Sequence, residues 1–195
     1  MVLYIYGDIV RDESWKWSID DCCPSDIIKA LADHPDAAVD LHINSGGGDA
    51  FAGFAIANII RTHSGRKTGY VDGLAASAAS FFVPACDEVG IPKTAYVMIH
   101  KSWTSAWGCN ADELRKAAEM LDTVDRGMLT LYMSKAKEGI TEEAMTAKIA
   151  AETWLPGEDA AAIWNHVTLV DLEAAACTSN MFGLYSNAPA ILRPG

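Results

Sequence analysis

The sequence predicts an α/β fold built from repeated strand and helix units. Short apolar runs typical of buried strands alternate with amphipathic helical segments along most of the 195 residues. Two glycine-containing turns each carry the chain from a strand into a helix, and turns of this kind lie at one edge of a parallel sheet. Half of the residues are hydrophobic, so a domain of this length can bury a substantial core.

The first half of the chain alternates between strands and helices. Pro24 suits the first turn of a helix, and Ile56 and Ile60 lie on one face of a second, amphipathic helix. The predicted elements in chain order are a strand over 1–7, a helix over 24–33, a strand over 38–43, a helix over 50–63 and a strand over 68–71. An apolar run over 78–83 then predicts the first turns of a buried helix.

A long helix is predicted over 111–137, with Asn110 as its cap and Glu113 in the position that completes a variant of the capping box. Its apolar side chains recur at helical spacing, in a stripe longer than one small domain normally needs. The stripe consists of Leu114, Ala117, Ala118, Leu121, Val124, Met128, Leu131 and Tyr132. It is either a core-facing surface or a surface between subunits, and both interpretations stay open. A shorter helix begins at Thr141 and leads to Glu152.

Ser77 and His100 supply a nucleophile and a base in an order that suits peptide hydrolysis. Ser77 follows Gly73 and small residues that allow a sharp turn, and it precedes the predicted buried helix. At a helix N-terminus, the unpaired amides and the positive end of the dipole favour a tetrahedral oxyanion. The alternative is that Ser77 is a helix cap or a close-packing residue.

Composition and charge disfavour several classes of function. The formal net charge of −11 and the scattered basic residues argue against nucleic-acid binding. Asp49 follows the three glycines at 46–48, so the chain lacks the Lys-Ser or Lys-Thr of a nucleotide-phosphate loop. The five cysteines include no Cys-x-x-Cys pair, so we expect no metal, and reduced thiols in a cytosol. No apolar run has membrane-spanning length, residues 1–7 do not form a signal peptide, and no cofactor is expected.

Three motifs occur in order along the chain. They are Ile43-Asn44-Ser45-Gly46-Gly47-Gly48, Gly73-Leu74-Ala75-Ala76-Ser77 and Val97-Met98-Ile99-His100. Together they resemble the Clp protease family, the ring-forming serine peptidases, and most closely its phage-encoded members that mature capsids. The resemblance covers residues 1–172. It implies the fold shared by Clp proteases and crotonases, with repeated β-β-α units and a protruding handle helix, here over 111–137, that joins rings face to face.

Carried over position by position, the resemblance makes Ser77 the nucleophile and His100 the general base of an acyl-enzyme mechanism. The two oxyanion donors of the family are backbone amides, which fall on Gly48 and Ala78. Gly46 takes the place of the proline found in the commonest form of the family's glycine loop. Because glycine costs more conformational entropy to order, we expect a more flexible loop here.

The resemblance also indicates the acid of the site. In the family it lies two residues before an aromatic-Leu pair, which is Trp154-Leu155 here, so Glu152 replaces the usual aspartate. Asp171 is the fallback candidate, although it resembles an aspartate that normally has no catalytic role. Two residues compete for the role of the base. His166 matches no part of the family signature, and Lys101 is predicted by strand alternation to point away from the serine.

The resemblance further implies a domain boundary and partners. A protease domain covers 1–178, and 179–195 resembles the connector to a scaffolding region, which we expect to be flexible. The expected substrates are proteins or peptides, such as scaffold or capsid precursors and the chain's own tail, cleaved in the host cytoplasm or inside the procapsid. We expect a homo-oligomeric ring. Almost no counterpart of the family's axial loops precedes Val2, so we expect no ATPase partner, and no nucleic acid or membrane partner either.

Two other classes of function remain open. A crotonase-type acyl-CoA enzyme shares the fold and would use the amides of Gly48 and Ala78 to hold a thioester enolate. That function leaves Ser77 and His100 without a task. A catalytically inactive ring subunit would act as a structural scaffold alone. Labelling of a serine by a fluorophosphonate distinguishes a protease from both.

Overall fold

A computed structural model describes residues 1–189, and it confirms the predicted α/β fold. Over these residues the chain forms one sheet of seven strands, with helices packed on it. The strands are β1 (Val2–Ile5), β2 (Val39–Ser45), β3 (Lys67–Ala76), β4 (Glu88–Pro92), β5 (Tyr96–Ile99), β6 (Thr153–Pro156) and β7 (Val167–Val170). Most of them contain buried aliphatic residues, as expected for a mostly parallel sheet covered by helices.

The strand order brings together the residues that follow β3 and β5. Strands β1, β2, β3, β4 and β7 run parallel in that order, and β5 pairs in parallel with the last part of β3. Strand β6 then pairs antiparallel with β5. The register places Ala76 opposite Met98, and Ile99 opposite Thr153. The residue after β3, the residue after β5 and the residue before β6 therefore meet at one edge of the sheet.

Within residues 1–189, four helices start within one residue of the predicted positions 24, 50, 111 and 141, and the helix over Gly157–Ile163 is not among the predicted elements. The helices are α1 (Pro24–Ala32), α2 (Ala50–Thr62), α3 (Phe82–Ala85), α4 (Ala111–Met133), α5 (Glu142–Ala150) and α6 (Gly157–Ile163). The buried helix predicted over 78–83 begins instead as a 3-10 helix over Ser77–Phe81, and α3 follows it. Helix α4 ends before residue 137 because the Lys137 amide pairs with the Ile163 carbonyl, at 2.8 Å, outside the helix.

Helix α4 has a buried half and an exposed half. The capping box is confirmed: the Asn110 side chain accepts from the Glu113 amide at 3.1 Å, and the Glu113 carboxylate accepts from the Asn110 amide at 2.8 Å. Towards its C-terminus, Leu131 and Tyr132 are buried in the core, whereas Leu114 in the first turns is 49% exposed. The predicted stripe is thus a core surface over its second half only. Neither α4 nor any other helix within residues 1–189 is long and apolar enough to cross a membrane.

The chain returns to the sheet after β7. Residues 174–189, called the C-terminal strap below, lie along the second halves of β2 and β3. The Ala175 amide donates to the Asp72 carbonyl at 2.6 Å, and the Asn44 side chain donates to the Ala176 carbonyl at 2.8 Å. Three strap residues are buried in a small second apolar cluster with the ends of β3 and β5: Phe182, Tyr185 and Ala188.

The C-terminal strap includes residues 179–189 of the connector expected over 179–195, whose flexibility stays a prediction. Residues 179–189 pack on the domain because this removes three apolar side chains from water, which is favourable. Residues 190–195 of the expected connector lie outside the described residues. The domain boundary at residue 178 stays a prediction.

Candidate active site

Ser77 is the first residue after β3 and begins the 3-10 helix over Ser77–Phe81. Its φ of 52° lies in the left-handed region, which residues other than glycine rarely adopt. Among residues 1–189 the other non-glycine residue with positive φ is Glu152, at 48°. Backbone strain of this kind concentrates at functional sites, and here it falls on two residues selected from the sequence.

His100 directly follows β5, and the pairing of β5 with β3 brings its imidazole to Ser77. The distance from Nε2 of His100 to Oγ of Ser77 is 2.7 Å, which is a hydrogen bond. Burial lowers the pKa of His100, while the charges of Glu152 and Asp125 act in the opposite direction. The imidazole is therefore neutral near pH 7 and can accept the serine proton.

Glu152 lies between α5 and β6, close enough to His100 for its charge to raise the imidazole pKa. Its carboxylate accepts hydrogen bonds from the Ser186 amide at 2.8 Å and from the Asn187 amide at 2.6 Å. The indole Nε1 of Trp154 is a further, longer donor at 3.4 Å. No hydrogen bond joins Glu152 to His100 within residues 1–189. The carboxylate is near the base but bonded to the C-terminal strap.

The competing candidates are exposed or have other partners. Asp171 follows β7, is exposed, and is not among the charges that shift the imidazole pKa. The Lys101 side chain is more than half exposed and forms an ion pair with Asp125 at 3.6 Å. The imidazole Nε2 of His166 hydrogen-bonds the Val83 carbonyl at 2.9 Å. None of the three contacts the serine hydroxyl in the described part of the chain.

The glycine loop lies directly against Ser77. Gly47 and Gly48 have φ of 97° and 144°, conformations that favour glycine. A Cβ at Gly47 would come 2.7 Å from the Cβ of Ser77, and one at Gly48 would collide with the Ile9 carbonyl oxygen. Only glycine fits at both positions, which lets the loop backbone approach the nucleophile. The sequence did not indicate that Gly47 must lack a side chain in order to lie against Ser77.

The two amides expected to bind an oxyanion are free of internal acceptors. Gly48 lines the cavity beside Ser77, and its amide has no acceptor within residues 1–189. Ala78 is the second residue of the 3-10 helix, where the backbone amide has no acceptor inside the helix. Both donors are available to a substrate oxygen.

A cavity of about 770 Å³ opens beside Ser77 and His100. Much of its wall is apolar, and Phe81, Val124 and Met128 contribute to it from the 3-10 helix and from α4. Cavities of this size and character are typical of ligand-binding sites in proteins. It can hold an apolar side chain next to the serine hydroxyl.

Tyr185 of the C-terminal strap also belongs to this site, and sequence reasoning missed it. Its ring packs edge-on against the imidazole of His100, with 5.2 Å between centroids. Its hydroxyl donates a hydrogen bond to the Gly46 carbonyl. Burial raises the pKa of Tyr185, so the phenol stays protonated. The only signal in the sequence is an aromatic residue within a segment assigned to a connector.

A serine hydroxyl bonded to a neutral imidazole, beside free backbone amides and an apolar cavity, is the arrangement found in serine hydrolases. Residues 9–164, well over half of the chain, match the family model described as Clp protease. The chain therefore belongs to the Clp protease family, which is a family of serine peptidases that act on proteins and form oligomeric rings.

Proposed function

We propose that this protein is an ATP-independent serine endopeptidase with Ser77 as its nucleophile and His100 as its general base. The distance of 2.7 Å between Nε2 and Oγ is the observation that carries the proposal. Burial also keeps the imidazole neutral, since it lowers the pKa of His100. A neutral imidazole at this distance can take the hydroxyl proton as the oxygen attacks a carbonyl carbon.

The reaction proceeds through an acyl-enzyme. Oγ of Ser77 attacks the scissile carbonyl carbon while its proton passes to Nε2 of His100. The carbonyl oxygen becomes an oxyanion, and the amides of Gly48 and Ala78 stabilise it. The C–N bond then breaks and His100 protonates the leaving amine, which leaves an ester on Ser77. Water attacks the ester with His100 again as base, which releases the new carboxylic acid and restores the serine.

We assign the acid of the triad to Glu152. Its negative charge raises the pKa of His100, which is the direction needed to stabilise the imidazolium that forms during catalysis. Asp171 has no such influence on the imidazole. In the structure its carboxylate accepts hydrogen bonds from the amides of Ser186 and Asn187.

The substrates we propose are scaffold and capsid precursor proteins of a phage head, cleaved in the host cytoplasm or inside the assembling procapsid by a homo-oligomeric ring. The support is the similarity of the three motifs to the phage-encoded members of the family. Cleavage of a capsid precursor without ATP is the expected result for the purified protein. A gene neighbourhood with neither a capsid nor a portal gene would contradict the phage role and leave the peptidase assignment standing.

The experiment that tests the catalytic assignment is covalent labelling by a fluorophosphonate, read by mass spectrometry of the intact protein and its peptides. The reagent forms a phosphoester on an activated serine oxygen and releases fluoride. We expect one adduct, on Ser77, in the wild-type protein. Ser77→Ala should abolish it, and His100→Ala should slow it by about 10²-fold or more, the usual contribution of a general base.

The acid is tested in the same assay with a matched pair of variants. Both variants are made in a Tyr185→Ala background, which removes the ring that packs against His100. There Glu152→Ala should slow labelling, whereas Asp171→Ala should leave the rate unchanged. The reverse pattern would move the acid to Asp171. If assembled wild-type protein forms no adduct at all, the chain is an inactive ring subunit or a crotonase-type enzyme, and the endopeptidase proposal is wrong.

A further inference from the structure

The C-terminal strap covers the proposed active site. Ser179 donates from its hydroxyl to the Asp8 carboxylate at 2.5 Å, which anchors the start of a 3-10 helix over Asn180–Leu184. Asn180 and Met181 then line the cavity beside Ser77, and Tyr185 follows against the imidazole of His100. The segment therefore lies where a peptide must bind if Ser77 is to attack it.

Tyr185 blocks the nucleophile in a specific way. Its ring is 5% exposed and lies between the imidazole of His100 and the indole of Trp154, with 5.2 Å and 5.9 Å between the centroids. Its hydroxyl donates a hydrogen bond to the carbonyl of Gly46, in the glycine loop that lies against Ser77. The group beside the nucleophile is the side chain of Tyr185 and not a peptide carbonyl. The contact is therefore inhibitory, because it offers Ser77 no carbonyl to attack.

Glu152 holds the strap by its backbone. Its carboxylate accepts from two successive amides, those of Ser186 and Asn187, at 2.8 Å and 2.6 Å. The Asn187 side chain adds a hydrogen bond to the Ala151 carbonyl at 3.0 Å. Hydrogen bonds to a carboxylate are among the stronger ones in proteins. They fasten the strap to the residue that we assign as the acid.

Gly46 makes room for the strap. A Cβ at this position would collide with the hydroxyl of Ser179 and lie 2.5 Å from its Cβ. Gly46 is also the position at which the commonest family sequence has proline. If residue 46 carried a side chain, Ser179 could not keep its observed position. The glycine that departs from the family pattern is therefore the residue that makes room for Ser179.

We propose that residues 179–188 are an intramolecular inhibitor of this peptidase, bound through Tyr185 at His100 and through Glu152 at the amides of Ser186 and Asn187. The inference rests on the proposed function of Ser77. Release of the strap removes the Tyr185 ring from the imidazole of His100 and opens the site to a peptide.

The rate of fluorophosphonate labelling at Ser77 tests the inhibition. Tyr185→Ala should raise the rate about tenfold or more, because the reactive population is the fraction of molecules whose strap is displaced. Tyr185→Phe removes only the hydroxyl and should give a smaller increase. Gly46→Ala should also accelerate labelling, since it expels Ser179. The matched control is Leu184→Ala: this side chain lies in the same segment but is 54% exposed, so the rate should not change.

Hydrogen exchange of the strap amides provides a readout that does not need catalysis. In a Ser77→Ala background, the amides of Ser186 and Asn187 should be protected, because they donate to Glu152. Adding Tyr185→Ala or Gly46→Ala should increase their exchange, whereas adding Leu184→Ala should not. This measurement also shows whether each variant is folded, since the strands of the core stay protected in a folded chain.

The two measurements separate the possible failures. Equal labelling of the wild type and of Tyr185→Ala, in proteins whose strap exchange shows release, would overturn the inhibition and leave the peptidase intact. Fast exchange of Ser186 and Asn187 in the parent Ser77→Ala protein would overturn it by showing that the strap is not bound. If no variant is labelled at Ser77, the proposed function fails, and the inhibition fails with it.

Discussion

At the scale of single residues, the chemistry depends on the protonation of His100. Burial lowers its pKa, and the neighbouring carboxylates of Glu152 and Asp125 act against that effect. Only the neutral imidazole can accept the proton of Ser77, so protonation at acid pH removes activity. A buried imidazole stays neutral to lower pH than an exposed one, which widens the range in which the base is competent.

We therefore predict an acid limb of activity with a midpoint below about 6.5, the ordinary pKa of histidine. Glu152→Gln should move the midpoint further down, because it removes a charge that raises the pKa of His100. The measurement is the rate of Ser77 labelling as a function of pH for both proteins. Asp171→Asn serves as the control and should not move the midpoint. A shift to higher pH in Glu152→Gln would contradict the assignment of Glu152 as a neighbouring negative charge.

How far the site follows from the sequence differs from residue to residue. Ser77 and His100 were selected from motifs, and they form the expected pair at 2.7 Å. Their catalytic roles, and the oxyanion role of the Gly48 and Ala78 amides, remain predictions. Tyr185 was missed because its contact with His100 joins residues that are far apart in the chain and depends on where the strap folds back.

At the scale of elements, α4 has a buried half and an exposed half that the sequence stripe did not separate. Its last turns supply core residues such as Tyr132, whose hydroxyl lies 2.6 Å from that of Ser80 behind the nucleophile. Its first turns project away from the core. The amphipathic pattern runs through both halves without a break, because a core and a subunit interface both select apolar side chains.

The two halves of α4 should respond differently to the same substitution. Leu131 is 6% exposed, so Leu131→Ala should lower the free energy of unfolding by about 2–5 kcal/mol, the range for truncation of a buried leucine. Leu114 is 49% exposed, so Leu114→Ala should change the free energy of unfolding by less than about 0.5 kcal/mol. Urea unfolding at fixed protein concentration measures both. Equal destabilisation by the two variants would show that the first half of the helix is buried too.

At the scale of the whole molecule, the exposed first half of α4 is the surface on which we expect rings to meet. Leu114 is 49% exposed and Ala118, one turn further along the same face, is exposed as well, and exposed apolar side chains often mark protein interfaces. The double variant Leu114→Lys with Ala118→Lys should prevent the face-to-face contact of rings. The expected result is a particle of about half the wild-type mass with the ring itself preserved.

Sedimentation velocity measures this change, and the labelling rate of Ser77 shows whether the single ring retains a competent site. Replacement of the exposed Leu172 by lysine is the matched control, because this residue lies after β7 and away from α4. A wild-type protein that sediments as a monomer would contradict the ring. An unchanged mass in the double variant would place the ring contact elsewhere.

The sequence by itself determined the α/β class, the starts of α1, α2, α4 and α5 to within one residue, and the two residues, Ser77 and His100, that form a hydrogen-bonded pair. These features depend on local chemistry: hydrophobic periodicity, the caps at Pro24 and Asn110, and the glycines that a close approach requires. Short-range patterns of this kind can be recognised in the sequence because each one pairs backbone hydrogen-bonding groups, or places apolar side chains in the core, within a few residues.

The tertiary structure alone decided which groups donate hydrogen bonds to Glu152, which half of α4 is buried and where the C-terminal strap lies. The hydrogen bonds from Ser186 and Asn187 to Glu152 join residues more than thirty positions apart. Nothing local in the sequence specifies such contacts, because they form only when β6 and the strap reach the same edge of the sheet. The packing of the strap beside Ser77 and His100 is thus a property of the folded chain as a whole.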